Sequence, residues 1–278
     1  MVVFPYIKLN LGLNVLRRRN DGYHDLETCF IPVKGCCDVL EIMEAKAEAS
    51  SLSTFGIPID AAQEDNLVMK AYRMMEQDYA LPPVEMALLK NVPAGSGVGA
   101  GSSDASHALL ALNELFGIGL DSAQLEGYAL RLGSDCPYFI KGGAAIGKGR
   151  GEELKPIALD LADCYVRVVF PGVHVSTKEA FAGLVPAMPP GGDLEDALAQ
   201  PRENWRKVLK NDFETTVFAL HPVLKEIKDR HYSDGAFYAS MSGSGSAIYG
   251  LHVGPPDGEL GWQVDTKTGH KVWMGRLD

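Results

Sequence analysis

The sequence predicts strands interleaved with helices, in one large domain or two modest ones, and three observations carry that reading. The 278 residues exceed a typical single domain. Up to about residue 155, strand-like runs, glycine turns and helical stripes alternate. Beyond it, β-branched and apolar runs close on Pro171-Gly172 or flank a serine-glycine turn. A boundary near residue 155 therefore divides the chain into 1–155 and 156–278.

The start, Met1 to Lys8, lacks a basic region followed by a long apolar run, so it reads as a first strand rather than a signal peptide. Residues 65–78 read as a helix, because Leu67, Val68, Ala71, Met74 and Met75 recur at spacings of three and four. Residues 84–89 read as a strand running into Lys90-Asn91-Val92-Pro93, and a glycine-serine loop follows over 94–104. Next, Ala105, Ala108, Leu109, Leu112, Leu115 and Phe116 form one apolar helical stripe that Gly117 ends. Asp121, with Gln124 three residues on, starts a second helix that stops at Gly133. Residues 166–170 read as a buried strand, 186–192 as a loop, and 237–241 and 247–251 as strands flanking Ser242 to Ser246.

Hydrophobic residues make up 46% of the chain and charged residues 22%, a balance able to bury a core. The net charge of −10 argues against partners that are nucleic acid or anionic membrane, both of which reward a basic surface. It leaves nucleotide binding open, since backbone N–H groups and a few lysines hold one phosphate chain. No run approaches the roughly 20 apolar residues of a spanning helix, so a soluble protein is expected. The five cysteines include the adjacent pair Cys36-Cys37 and no CxxC. They form neither a zinc spacing nor a disulfide framework, and suit a reducing cytoplasm.

Glycines at 95, 97, 99 and 101 are costly unless bare backbone is needed there. Placed directly before a helix they have a use. The unpaired N–H groups and the dipole of the first turn make an anion site, and glycines let phosphates approach. Ser102 and Ser103 add hydroxyls for a phosphate oxygen or a Mg²⁺ ion. The plain alternative is a flexible loop in which Ser103 or Asp104 caps the helix. Residues 95–100 also spell G-x-G-x-x-A, the dinucleotide fingerprint, but Pro93 interrupts the strand and the acidic residue about 20 on, Glu114, lies inside the helix. Residues 142–149 nearly spell a P-loop, yet Gly149 stands where its Ser or Thr belongs.

The loop over 93–104, Pro-Ala-Gly-Ser-Gly-Val-Gly-Ala-Gly-Ser-Ser-Asp, closely resembles the signature of the GHMP kinase superfamily. Further segments match in order: Lys8-Leu9-Asn10-Leu11-Gly12, Asp21-Gly22-Tyr23-His24, Glu64-Asp65-Asn66-Leu67, Gly133-Ser134-Asp135-Cys136-Pro137 and Ser240 to Ser246. Departures from the pattern are small: Ser96, Val98, Ala100 and Ser134 replace close relatives, and nothing is carried over beyond Gly254. The resemblance implies an α+β fold of two lobes. The first is like the second domain of ribosomal protein S5 and carries the ATP loop, and the second is ferredoxin-like. It implies transfer of the γ-phosphoryl group of ATP, with Mg²⁺, to an alcohol. The Asp-Gly-Tyr-His element points to a small-molecule substrate, a cytidine diphosphate-linked methylerythritol. A monomer or weak homodimer is expected.

The same resemblance assigns roles. Asp135 is the catalytic carboxylate that takes the hydroxyl proton; from the residue alone, a turn or cap before Pro137 is an equal reading. Lys8, in an otherwise apolar strand, needs an anionic partner if buried, and the resemblance pairs it with Asp135; the bland alternative is an edge-strand lysine. Pro93, Gly95, Gly97, Val98, Gly99, Gly101, Ser102 and Ser103 hold ATP, with Asn66 and Lys90 on its adenine side. Asn10, Tyr23, His24, Thr177 and Phe181 line the substrate pocket, with Tyr23 and Phe181 sandwiching the cytosine ring and His24 at its edge. Gly243 and Gly245 let backbone approach the substrate diphosphate; the alternative is an ordinary hairpin loop. No metal ligand is assigned.

Overall fold

A computed structural model describes residues 1–59, 62–189 and 192–277, so Pro190 and Gly191 of the expected 186–192 loop lie outside the described residues. The first half holds strands β1 (Val2–Val3), β2 (Tyr6–Arg18), β3 (His24–Cys37), β4 (Val39–Glu44) and β5 (Ser51–Gly56), then α1 (Leu67–Tyr79) and β6 (Val84–Lys90). Helices α2 (Ala100–Leu115), α3 (Ser122–Leu132) and α4 (Cys136–Lys141) follow. The second half runs β7 (Ala145–Lys148), β8 (Glu153–Pro156), β9 (Cys164–Phe170), α5 (Thr177–Phe181), α6 (Leu194–Leu198), α7 (Arg202–Val208), α8 (Phe213–Leu220) and α9 (Pro222–Ser233). It ends with β10 (Tyr238–Met241), β11 (Ile248–Val253), β12 (Gly261–Val264) and β13 (Lys271–Arg276).

The chain forms two compact units, each built from several stretches of sequence. One comprises Met1–Ile7, Cys37–Ala94 and Gly99–Gly142; the other comprises Lys8–Cys36, Gly95–Val98 and the chain from Gly143 onward.

In the first unit the sheet order is β1-β4-β6-β5, with β5 parallel to β6 and the other pairs antiparallel. Strand β6 alternates inward and outward, so Val84, Met86, Leu88 and Lys90 are buried in turn. Leu40, Ile42, Met86 and Leu88 share one apolar core with Val68, Met75, Leu109 and Leu112 of α1 and α2. Helix α1 starts two residues later than its periodicity predicts, because Asn66 caps it by accepting the Val68 N–H at 2.9 Å. The α2 stripe and the reciprocal Asp121–Gln124 capping box of α3 stand where the sequence puts them.

The second unit holds the sheet β2-β3-β7-β8 and a five-stranded antiparallel sheet, β10-β11-β9-β13-β12. The expected strands around Ser242 to Ser246 form the β10–β11 hairpin, with Met241 opposite Ile248. The tail beyond Gly254, to which the sequence assigns nothing, forms β12 and β13. Strand β13 pairs with β9, setting Trp273 opposite Val168. Leu13, Val15, Phe213, Val217, Leu224, Met241, Ile248 and Val272 share the core of this unit. The five cysteines are free thiols. Among the described residues no helix is long and apolar enough to cross a membrane.

Candidate active site

The glycine loop takes the conformation its composition invites. Gly95, Gly97 and Gly99 have φ of +67°, +80° and +72°, a region that side chains with a Cβ avoid. Gly99 is the N-cap of α2, and its carbonyl accepts the Ser103 N–H at 2.8 Å. The first-turn N–H groups of Ala100, Gly101 and Ser102 precede that first bond and have no partner within the helix, the arrangement an anion site uses. Pro93, Gly101 and Ser102 are half-buried and Gly95 is exposed, while Ser103 is buried with its hydroxyl 3.3 Å from His107 Nδ1.

The glycines do not all serve the same purpose. A Cβ on Gly95 would meet nothing within 4 Å, whereas one on Gly97 would lie 2.1 Å from the Ser242 carbonyl oxygen. Gly97 is bare so that the Ser242 to Ser246 loop can lie against it. Gly243, at φ +54°, answers from the other side: its Cβ would come within 2.9 Å of the Gly97 oxygen. Ser242 Oγ donates to the Gly97 carbonyl at 2.9 Å, and the Ala247 N–H donates to that of Ser96 at 3.0 Å. Asn211 Nδ2 holds the same loop through the carbonyls of Met241 and Gly243, both at 2.8 Å. Gly245, at φ +91°, packs close to the Met241 thioether.

Strand β2 enters this arrangement through backbone and side chain. The Lys8 N–H donates to the Val98 carbonyl at 3.0 Å. The Lys8 ammonium, on a residue 4% exposed, donates to Asn10 Oδ1 at 2.9 Å and sits 4.5 Å over the Phe30 ring. Asn10 Nδ2 donates to Thr28 Oγ1 at 2.9 Å, and that hydroxyl donates to the Gly12 carbonyl at 2.6 Å. Tyr249 donates to the Asn10 carbonyl at 2.7 Å. Thr28, Phe30, Asn211 and Tyr249 escape sequence reasoning, since each looks like ordinary strand or helix-border composition.

The Asp21-Gly22-Tyr23-His24 turn is bridged by ion pairs. Arg19 bonds Asp25 and Asp21, both at 3.0 Å, and Arg17 also bonds Asp25. The Tyr23 N–H and then Arg19 hold the Asp21 carboxyl below the usual carboxylate range. Tyr23 is 57% exposed, with the Arg150 guanidinium 5.0 Å from its ring centre. His24 stacks on Phe181 at 4.4 Å and 17°, and Phe181 meets Phe213 edge-on at 4.8 Å. The structure thus brings Phe181 against His24, at a spacing that leaves no room for a base between those two rings. Thr177 is exposed in the first turn of α5, which a Ser176–Glu179 capping box starts.

In the other unit Asp135 precedes α4 in αR conformation and makes no capping bond to that helix, unlike a structural cap aspartate. Asn66, expected beside adenine, spends its side-chain oxygen on capping α1. Lys90, expected there too, is 2% exposed, and its ammonium is taken by Asp38 and Asp104. The register of β6 was the available signal, because it sends Lys90 to the same face as Leu88. Among the described residues no three His, Cys, Asp or Glu side chains gather as a metal cage. The half-buried Ser102 hydroxyl at the helix mouth is an oxygen donor of the kind Mg²⁺ accepts beside phosphate oxygens and water.

Two family models match the chain. The GHMP kinases N terminal domain matches residues 66–143, and the GHMP kinases C terminal model matches 191–259. A 4-diphosphocytidyl-2-C-methyl-D-erythritol kinase of Azobacteroides pseudotrichonymphae is 46% identical over 255 residues, covering 92% of this chain and 94% of that protein. Another, from Bacteroides thetaiotaomicron, is 44% identical over 280 residues and spans both chains fully. A crystal structure of 4-(cytidine 5′-diphospho)-2C-methyl-D-erythritol kinase superposes with a TM-score of 0.76 at 36% identity, over 92% of this chain and 91% of that one. Methanococcus jannaschii mevalonate kinase, at 12% identity, shares the fold with a TM-score of 0.67 over 100% of this chain and 98% of its own. Identity of this extent, running through both family domains and the whole length of a relative, makes the chain a member of the GHMP kinases, in the family of the 4-diphosphocytidyl-2-C-methyl-D-erythritol kinases.

Proposed function

We propose that the protein uses ATP to phosphorylate the 2-hydroxyl of 4-diphosphocytidyl-2-C-methyl-D-erythritol, a step of non-mevalonate isoprenoid precursor biosynthesis. The observation that carries this reading is the positive-φ glycine loop opening onto α2, in a chain 44% identical end to end to a kinase of that name. Open N–H donors of the first turn bind the phosphates, and Ser102 and the exposed Gly95 backbone border them. Mg²⁺ supplied with ATP neutralises phosphate charge. Asp135 orients the acceptor hydroxyl and takes its proton as oxygen attacks the γ-phosphorus and ADP departs. Lys8, oriented by Asn10, carries the positive charge for the transferring phosphoryl group. Tyr23, His24, Thr177 and Phe181 receive the cytidine end, and Gly243 and Gly245 its diphosphate. A cytoplasmic enzyme, monomeric or weakly dimeric, fits this chemistry.

Incubation with ATP, Mg²⁺ and the diphosphocytidyl alcohol, read by mass spectrometry, should yield a product heavier by one phosphoryl group. Mevalonate and homoserine should yield none; turnover of either in place of the cytidine alcohol sinks the assignment. Asp135→Asn should lower kcat by roughly 10²–10⁴-fold with ATP affinity retained.

A further inference from the structure

Asp38, Lys90 and Asp104 form a buried ion group that the phosphoryl-transfer chemistry does not use. Their exposures are 0%, 2% and 3%. The Lys90 ammonium donates to Asp104 Oδ2 at 2.6 Å and also to Asp38 Oδ2. One cation facing two carboxylates in a dry interior is expensive, and removing one partner leaves the others uncompensated. Such groups do little for stability that apolar packing could not do, so their placement matters.

Each member belongs to a different piece of chain around the nucleotide loop. Asp38 lies between β3 and β4, and its second oxygen accepts the backbone N–H groups of Asn91 at 2.6 Å and Val92 at 2.9 Å. Those two residues lead into Pro93, where the loop begins. Asp104 stands on α2, just past the first turn into which the loop ends. Lys90 is the last residue of β6 and joins the two. The loop's entry and exit are thus fastened to a single ammonium. Between them lie three glycines at positive φ, residues with little conformational preference of their own. A loop of that composition grips a triphosphate well only if its ends are already held, because ordering it on binding costs affinity.

We propose that Asp38, Lys90 and Asp104 are positioning residues: they clamp the two ends of the glycine loop so that its N–H groups are preset for a nucleotide triphosphate. This rests on reading the loop as the nucleotide site, and is independent of which alcohol accepts the phosphoryl group. The clamp acts on the phosphate chain rather than on the base.

The test uses the full chain with Lys90→Met, with the double variant Lys90→Met/Asp104→Leu, which leaves Asp38 as the one carboxylate of the group, still accepting the Asn91 and Val92 N–H groups, and with Lys90→Arg. Circular dichroism and thermal melting establish that each folds. In the folded double variant the Kd for ATP, measured calorimetrically without acceptor, should rise at least tenfold. The Kd for inorganic triphosphate should rise in parallel. In turnover assays KM for ATP should climb with it while KM for the alcohol stays within about twofold, and Lys90→Arg should recover part of the loss. An ATP Kd within twofold of wild type in a folded double variant overturns the clamp. So does a loss confined to ATP with inorganic triphosphate unaffected, which would put Lys90 at the base, and so does an equal rise in both KM values. Absence of turnover on the cytidine alcohol in wild type would strike the assigned reaction alone, since the calorimetric readings need no acceptor.

Discussion

Around Tyr23 and Lys8, side chains outside the recognisable motifs decide how the motif residues stand. The Lys8 ammonium donates to Asn10, which Thr28, outside any motif, holds in turn. Tyr23 is largely exposed, with the Arg150 guanidinium over one face of its ring. A cation over an exposed ring is worth about 0.5–1 kcal/mol. Arg150→Ala should therefore raise KM for the cytidine substrate by roughly two- to fivefold, with Arg150→Lys intermediate and KM for ATP constant. Steady-state kinetics with both substrates varied checks it, and an equal rise in both KM values would deny the role.

Two glycines that look alike in sequence behave differently in the loop between β6 and α2. At Gly95 an added Cβ meets nothing, so Gly95→Ala carries only the penalty of positive φ, about 1–2 kcal/mol. At Gly97 the Cβ would strike the Ser242 carbonyl at 2.1 Å, and backbone cannot step aside as a side chain can. Gly97→Ala should thus push the β10–β11 turn off the loop and lower kcat/KM for ATP by more than 100-fold, against less than tenfold for Gly95→Ala. Comparable losses in both would refute the distinction. The sequence marked both positions as bare backbone for phosphate, but lacked the partner loop, some 145 residues on, that claims one of them.

For the molecule as a whole, two buried groups give stability opposing responses to acid. Burial, then the neighbouring charges of Arg167 and His252, lowers the His231 pKa to about 3. This group binds fewer protons folded than unfolded, so its contribution is lost as pH falls from about 6.5 toward 3. Asp104 is raised to about 7 by burial, with Asp38 adding to the rise and Lys90 opposing it. It binds more protons folded, so its contribution is present at low pH and lost as pH rises through about 7. Between pH 7 and 5 the two partly cancel. Asp104→Asn removes one side, so the variant should lose more stability than wild type on acidification from pH 7 to 5, as urea unfolding at each pH would reveal. An unchanged pH slope would mean Asp104 is ionised throughout that window.

What the sequence determined by itself was local. Periodicity placed α1 and α2, a β-branched apolar run placed β9, Asp121 with Gln124 placed the start of α3, and the alternating glycines placed the bare-backbone loop before α2, because propensity, capping and φ are properties of neighbouring residues. Only the tertiary structure decided the rest. It turned the Lys90 ammonium onto Asp38 and Asp104, stacked His24 on Phe181, and laid the Ser242 loop on Gly97. It also drew the unassigned tail into the sheet as β13 beside β9. These contacts join residues from 14 to well over 100 positions apart, and the polar ones exist because a buried charge or backbone amide must find a partner wherever the fold brings one.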